Sequence, residues 1–248
     1  MLHDFRKDVF DIIIQGGQSN SEGCGIGPLE HPFQPNTEIY MMENDFTIMT
    51  AREKVWGNDA VGNYAFSFAE KYVINGNLKP DRKLLILLAA VGGTSFHARR
   101  WGLEDDLFLI MINMLETALN LNPENRPVAL LWHQGESDTQ NPVYDTHYKN
   151  LSNLVNKVRS VAGRDDLPFV AGNFVPQWYN ENIDICIPIV KAIRDVCADI
   201  GYAAFVESDG LQSNNEKVGN DDKIHFSREA LYFLGHRYYN AFKELSMM

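Results

Sequence analysis

Four segments of the 248-residue chain hold groups suited to acyl-transfer chemistry. In Gln15-Gly16-Gly17-Gln18-Ser19-Asn20-Ser21 two glycines precede a serine. Paired glycines let the backbone turn sharply, and a serine set after such a turn offers both its hydroxyl and its N–H to a substrate. The same string also reads as a plain polar turn. In Gly92-Gly93-Thr94-Ser95, glycine permits close backbone approach and its N–H is a candidate donor to a developing oxyanion. His133-Gln134-Gly135-Glu136-Ser137-Asp138 supplies a neutral amide donor at Gln134 and a carboxylate at Glu136. In Asp222-Lys223-Ile224-His225 the spacing lets the carboxylate hold one imidazole nitrogen and leaves the other to take a proton. A serine, backbone N–H groups, an amide and an Asp–His pair are the parts of an acyl-transfer site. Ser19 and His225 lie at opposite ends of the chain, so folding alone can unite them.

The elements that must position these groups are legible as apolar patterns. Nearly continuous apolar runs at 9–15, 83–91, 128–133, 168–174 and 203–207 read as parallel strands covered on both faces, with a shorter candidate at 38–42. Between them apolar residues recur at helical spacing: Ala65, Phe68, Ala69, Tyr72; Leu107, Met111, Met114, Ala118; Leu151, Leu154, Val158; Ile189, Ile193, Cys197. Gly201 is expected to end the fourth of these helices in a left-handed cap, and Ser227 to open the last helix. This alternation predicts an α/β fold with a doubly wound, mainly parallel five-stranded sheet. Ligands bind such sheets at the carboxyl ends of the strands; three of the four segments directly follow strands, and the fourth lies just ahead of the last helix.

Length and composition narrow the remaining possibilities. At about 150 residues per domain, 1–248 is expected to be one domain, with no repeat or low-complexity linker inside it. The formal charge of −11 repels phosphate backbones and anionic lipid, so neither nucleic acid nor membrane is an expected partner. The longest apolar run, 84–91, falls well below the roughly 18 to 20 residues of a membrane span. With no secretory pattern near the start, the expected location is cytoplasmic. Cys24, Cys186 and Cys197 are odd in number, form no CxxC pair and read as reduced, buried thiols. The seven histidines lack metal-ligand spacing, so no metal is expected. The glycines at 23–27 do not satisfy a dinucleotide fingerprint. Ser137, in Gly135-Glu136-Ser137, stands as a second candidate nucleophile.

Taken in order, Gly17-Gln18-Ser19-Asn20, Gly92-Gly93-Thr94-Ser95, Trp132-His133-Gln134-Gly135-Glu136-Ser137 and Asp222-Lys223-Ile224-His225 resemble the sequence blocks of SGNH-type hydrolases. Within that superfamily the likeness is to the carbohydrate esterase and sialate O-acetylesterase branch. It implies a flavodoxin-like three-layer α/β/α sandwich, no cofactor and no metal. It also implies a triad of Ser19, His225 and Asp222, with an oxyanion hole from the N–H groups of Ser19 and Gly93 and the side chain of Gln134. The superfamily's usual Asn in a Gly-x-Asn-Asp block is here Gln134 in His-Gln-Gly-Glu, as in the carbohydrate-acetylesterase branch. Asn20 and Glu136 are assigned to substrate or to support of the nucleophile loop. Trp101, and Trp178 with Tyr179, are candidate sugar platforms, with ordinary rim packing as the competing reading. Arg99 and Arg100 either meet a carboxylated sugar or balance 104–106. The implied activity is removal of O-acetyl groups from carbohydrates, of acetylxylan or sialate type, through an acetyl-Ser19 intermediate, and the implied partner is an acetylated sugar or oligosaccharide. The competing readings are another SGNH ester hydrolase, lipase- or thioesterase-like, and a catalytically silent carbohydrate-binding module.

Overall fold

A computed structural model describes residues 3–247. Its elements are, in chain order, β1 (Phe10–Gly17), α1 (Ser19–Glu22), β2 (Ile39–Met42), β3 (Ile48–Thr50), β4 (Lys54–Trp56), β5 (Asp59–Val61), α2 (Tyr64–Ile74), β6 (Lys83–Leu88), α3 (Asp106–Leu121), β7 (Arg126–His133), α4 (Tyr144–Ala162), β8 (Phe169–Gly172), α5 (Pro176–Glu181), α6 (Ile183–Asp199), β9 (Ala203–Val206), α7 (Asn214–Val218) and α8 (Arg228–Leu245). The apolar runs become strands because side chains alternate across a sheet that is covered on both sides. Phe10, Ile12 and Ile14 of β1 enter one core with Leu85 and Leu87 of β6, under α3, α4 and α6. Ile13 enters the opposite core with Leu84 and Ile86, under α2 and α8. The result is the three-layer α/β/α sandwich.

The sheet has seven strands in the order β3-β2-β6-β1-β7-β8-β9, not the expected five. β2 adds parallel to β6, and β3 returns antiparallel to β2. The sequence understates this edge because β3 is a three-residue strand, only half-buried, and too short to show a period. The order β6-β1-β7-β8-β9 is the flavodoxin-like one, whose direction of winding reverses at β1 and leaves a crevice at that strand's carboxyl end. A separate two-stranded hairpin, β4–β5, rises beside that edge.

Ser227 opens α8 as expected, its side chain accepting from Ala230 N–H at 3.2 Å. The cap assigned to Gly201 is not formed there. Helix α6 stops at Asp199, and the left-handed residue is Tyr202, φ 54°. No helix among the described residues is long and apolar enough to cross a membrane.

Candidate active site

The turn after β1 is built by its contact with β7. Gly17 has φ 131°, and a Cβ on it would lie 2.1 Å from the His133 carbonyl oxygen, so only glycine fits. Gln18 N–H then donates to that same carbonyl at 3.0 Å, while the Gln18 side-chain oxygen accepts from Ser137 N–H at 3.1 Å. This pins Ser19 at the first position of α1, a four-residue helix whose leading N–H groups have no intrahelical acceptor.

His225 arrives from the loop ahead of α8. Its Nε2 lies 2.8 Å from Ser19 Oγ, and its Nδ1 is 2.9 Å from each oxygen of Asp222. Burial by itself pushes the Asp222 carboxyl up, but hydrogen bonds from His225 and Asn214 outweigh it and hold the group below its ordinary value. Asn214 Nδ2 donates to Asp222 at 2.8 Å, and its oxygen accepts from Ile26 N–H at 2.9 Å. Asp221, φ 61°, takes a left-handed conformation that Asp tolerates better than most residues, and so turns the chain into Asp222.

Asn20 ties three loops together. Its Nδ2 donates to Glu136 Oε1 at 2.7 Å and to the Ile224 carbonyl at 3.1 Å, and its oxygen accepts from Phe226 N–H at 3.0 Å. Glu136 is 2% exposed. Burial alone raises its carboxyl, and His133, with Nε2 3.4 Å away, together with the Asn20 amide brings it below its ordinary value. Of the two readings for Asn20 and Glu136, these contacts favour support of the nucleophile and imidazole loops, since neither side chain is open to solvent.

Across from Ser19, the peptide at 92–93 presents backbone donors. Gly92 N–H is taken by Glu22 Oε2 at 2.8 Å, and a Cβ on Gly92 would lie 3.5 Å from that of Ser19. Gly93, φ 70°, is exposed. Neither its N–H nor that of Ser19 has a partner among the described residues.

The chain can now be set beside known proteins. A family model described as "Carbohydrate esterase, sialic acid-specific acetylesterase" matches residues 9–244. The chain belongs to this family. A "Probable 9-O-acetyl-N-acetylneuraminic acid deacetylase" of Escherichia coli (strain K12) is 31% identical over 67 residues, covering 27% of this chain. That stretch spans only 21% of the relative's length. Among solved structures, NanS superposes with a TM-score of 0.77 at 18% identity, covering 97% of this chain and 98% of its own. An Arabidopsis thaliana protein gives 0.72 at 19% identity, covering 94% and 98%. A carbohydrate acetylesterase from Xanthomonas citri gives 0.62 at 13% identity, covering 96% of this chain and 56% of the other. These structural likenesses establish the fold that this esterase family member shares.

Two expectations for the esterase need correction. Gln134 is not a free donor: its Nε2 donates to Asp138 Oδ2 at 2.6 Å and to the Thr94 carbonyl at 3.3 Å, which engages both protons. In this arrangement it braces the loop after β7 against the loop after β6. Trp101 is no platform. It is fully buried, edge-on to Trp132 at 5.0 Å, and its Nε1 donates to Thr94 Oγ1 at 2.9 Å. Arg100 is held by Asp106 at 2.8 and 2.9 Å, which is the charge-balancing reading, whereas Arg99 is exposed. Trp178 is half-buried on α5 and tilted against Phe174 at 5.7 Å.

Sequence reasoning also missed supporting residues. Asp138 is buried and accepts from the N–H groups of Phe96 and His97 at 3.2 and 2.8 Å, so it shapes the stretch just after Gly93. Asn214 had a detectable signal, because Ser213 and Glu216 form the capping box that places it at the start of α7. Glu22 and Gln18 had none, since their partners are distant in sequence.

Proposed function

We propose that this chain is a serine esterase that removes O-acetyl groups from carbohydrates through an acetyl-Ser19 intermediate, with His225 as general base and acid and Asp222 as its orienting partner. The observation that carries this reading is the unbroken contact from Ser19 Oγ to His225 Nε2 at 2.8 Å and from Nδ1 to Asp222 at 2.9 Å. His225 takes the Ser19 proton as Oγ attacks the acetyl carbonyl, and the carbonyl electrons move onto oxygen. The N–H groups of Ser19 and Gly93 receive that oxyanion, each contributing on the order of 3 kcal/mol as such donors do elsewhere. As the intermediate collapses, His225 passes the proton to the departing sugar oxygen. Water, deprotonated by the same imidazole, then attacks acetyl-Ser19 and releases acetate.

The sialate type is favoured over the acetylxylan type by the description of the matching family and by the printed name of the Escherichia coli relative. The test is acetate release from 9-O-acetyl-N-acetylneuraminate, alongside p-nitrophenyl esters of increasing acyl length, by wild type and Ser19→Ala. The expected result is turnover of the acetylated sugar, preference for acetyl among the esters, and loss of both in the variant. Preference for long acyl chains overturns the acetyl assignment, and full activity in Ser19→Ala overturns the nucleophile.

A further inference from the structure

A cavity of about 470 Å³ lies at the sheet edge beyond α1, walled by Met41, Glu43, Met49, Arg52, Lys54 and Trp56. A closed crevice too narrow for water shares Met41, Arg52 and Lys54 with it and reaches Glu22 and Gly23. Glu22 is the residue that holds Gly92 beside Ser19, so one side chain separates this space from the reacting centre.

The charges around the cavity balance formally, but they are not all paired. Lys54 Nζ stands 3.5 Å from Glu22 and 3.8 Å from Glu43, a half-buried cation shared by two carboxylates. Glu53 is engaged by Arg228, with its Nε at 3.0 Å, and by the Tyr232 hydroxyl at 3.0 Å. Arg52 has no ion pair or hydrogen bond among the described residues. Every other arginine except Arg99 engages a carboxylate or a carbonyl. Arg99 lines no part of this cavity. In a protein of net charge −11, an unengaged guanidinium fork in a cavity that the Glu22 side chain separates from the nucleophile has the geometry to take a planar anion. Trp56, 49% exposed, adds a flat apolar wall of the kind that packs against a sugar's C–H face.

We propose that Arg52 is the specificity-determining residue of this site, binding the carboxylate of an acidic sugar whose O-acetyl group lies at Ser19, with Trp56 against the ring. A single carboxylate matches the lone unpaired fork, whereas a phosphate group, near two negative charges, would face Glu43 with one charge unanswered. This rests on the deacetylase reading above and adds the residue that selects the acidic sugar.

The experiment compares acetate release from 9-O-acetyl-N-acetylneuraminate and from its methyl ester, which removes only the negative charge, by wild type, Arg52→Ala and Arg52→Lys. Wild type should favour the acid at least tenfold in kcat/KM, mainly through KM. The preference should collapse to within about twofold in Arg52→Ala and be partly kept in Arg52→Lys, as expected for a charge-assisted fork. No preference in wild type, a preference that survives Arg52→Ala, or an equal loss on both substrates overturns the proposal. Calorimetry separates it from the deacetylase reading, using N-acetylneuraminate with Ser19→Ala and with Ser19→Ala/Arg52→Ala. If wild type releases no acetate from either sugar, that reading falls. Binding of N-acetylneuraminate that is lost with Arg52 then still upholds the carboxylate site, and absence of binding overturns it too.

Discussion

The imidazole of His225 is fixed from both ends, by Asp222 at Nδ1 and by Ser19 at Nε2, so the tautomer with its proton on Nδ1 leaves Nε2 ready to accept. Asp222→Asn keeps the volume but offers the ring an N–H where it needs an acceptor. Esterase kcat should fall by about 10⁴, the scale seen for this change in serine triads, with little change in thermal stability. Asn20→Ala removes contacts to Glu136, Ile224 and Phe226 at once. It should cost about 1–3 kcal/mol in denaturant unfolding, because Glu136 is left buried without that donor, and should lower kcat more than it raises KM. Glu22→Ala frees the Gly92 N–H and should lower kcat, with Glu22→Gln restoring most of it, since an amide oxygen still accepts. At this scale the strings around Ser19, Gly93, Asp222 and His225 stood out, because glycine-rich turns after strands and an Asp-x-x-His ahead of a helix carry a local signature. Sequence reasoning misjudged Gln134 and Trp101, whose roles depend on what surrounds them: Asp138 captures the amide and Trp132 buries the indole. Glu22 was invisible, since its partner Gly92 lies on a loop far along the chain.

Two elements depend on glycines at close crossings. Helix α8 covers the β8 and β9 side of the sheet together with α2, and Gly235 is where the two helices meet: a Cβ there would sit 2.1 Å from both the Tyr64 carbonyl oxygen and Ser67 Oγ. Gly235→Ala must push the helices apart and should destabilise the protein by about 1–3 kcal/mol or more in urea titration, despite the better helix propensity of alanine. An unchanged midpoint would show that the crossing relaxes freely. Helices were legible because a stripe at 3.6 spacing persists over several turns, as in α3 and α4. At the sheet edge β2 was legible as the short run at 38–42, whereas β3 was not, because three residues show no period and it takes its place from β2. The end of α6 was misplaced by one residue, as Tyr202 rather than Gly201 supplies the left-handed turn into β9.

At the scale of the whole molecule, the end of the sheet away from the site is closed by Asp11, which is fully buried and receives Arg82 and Arg126, each at 2.7 Å, and the Tyr72 hydroxyl at 2.8 Å. Burial alone raises this carboxyl, and the two arginines and the tyrosine outweigh it and hold it below its ordinary 3.8. A carboxylate depressed in the folded state contributes stability that is complete above its unfolded value and lost as pH falls through the folded one. Glu136, Asp138 and Asp222 shift the same way. Unfolding free energy should therefore be flat above about pH 5 and decline steeply below about pH 4. Asp11→Ala, which strands two arginines, should cost about 3–5 kcal/mol at neutral pH and flatten the acid slope, both read by urea unfolding across pH. The central claim is also a whole-molecule one, that β1's turn, the loop after β6 and the loop before α8 converge to make Ser19 a nucleophile. Its most direct measurement is rapid quenching of the wild-type reaction with p-nitrophenyl acetate, followed by peptide mass analysis. The expected result is a burst of one equivalent with a single acetyl group on the peptide carrying Ser19. An acetyl group on Ser137, or turnover through a burst that leaves the Ser19 peptide unmodified, would contradict it.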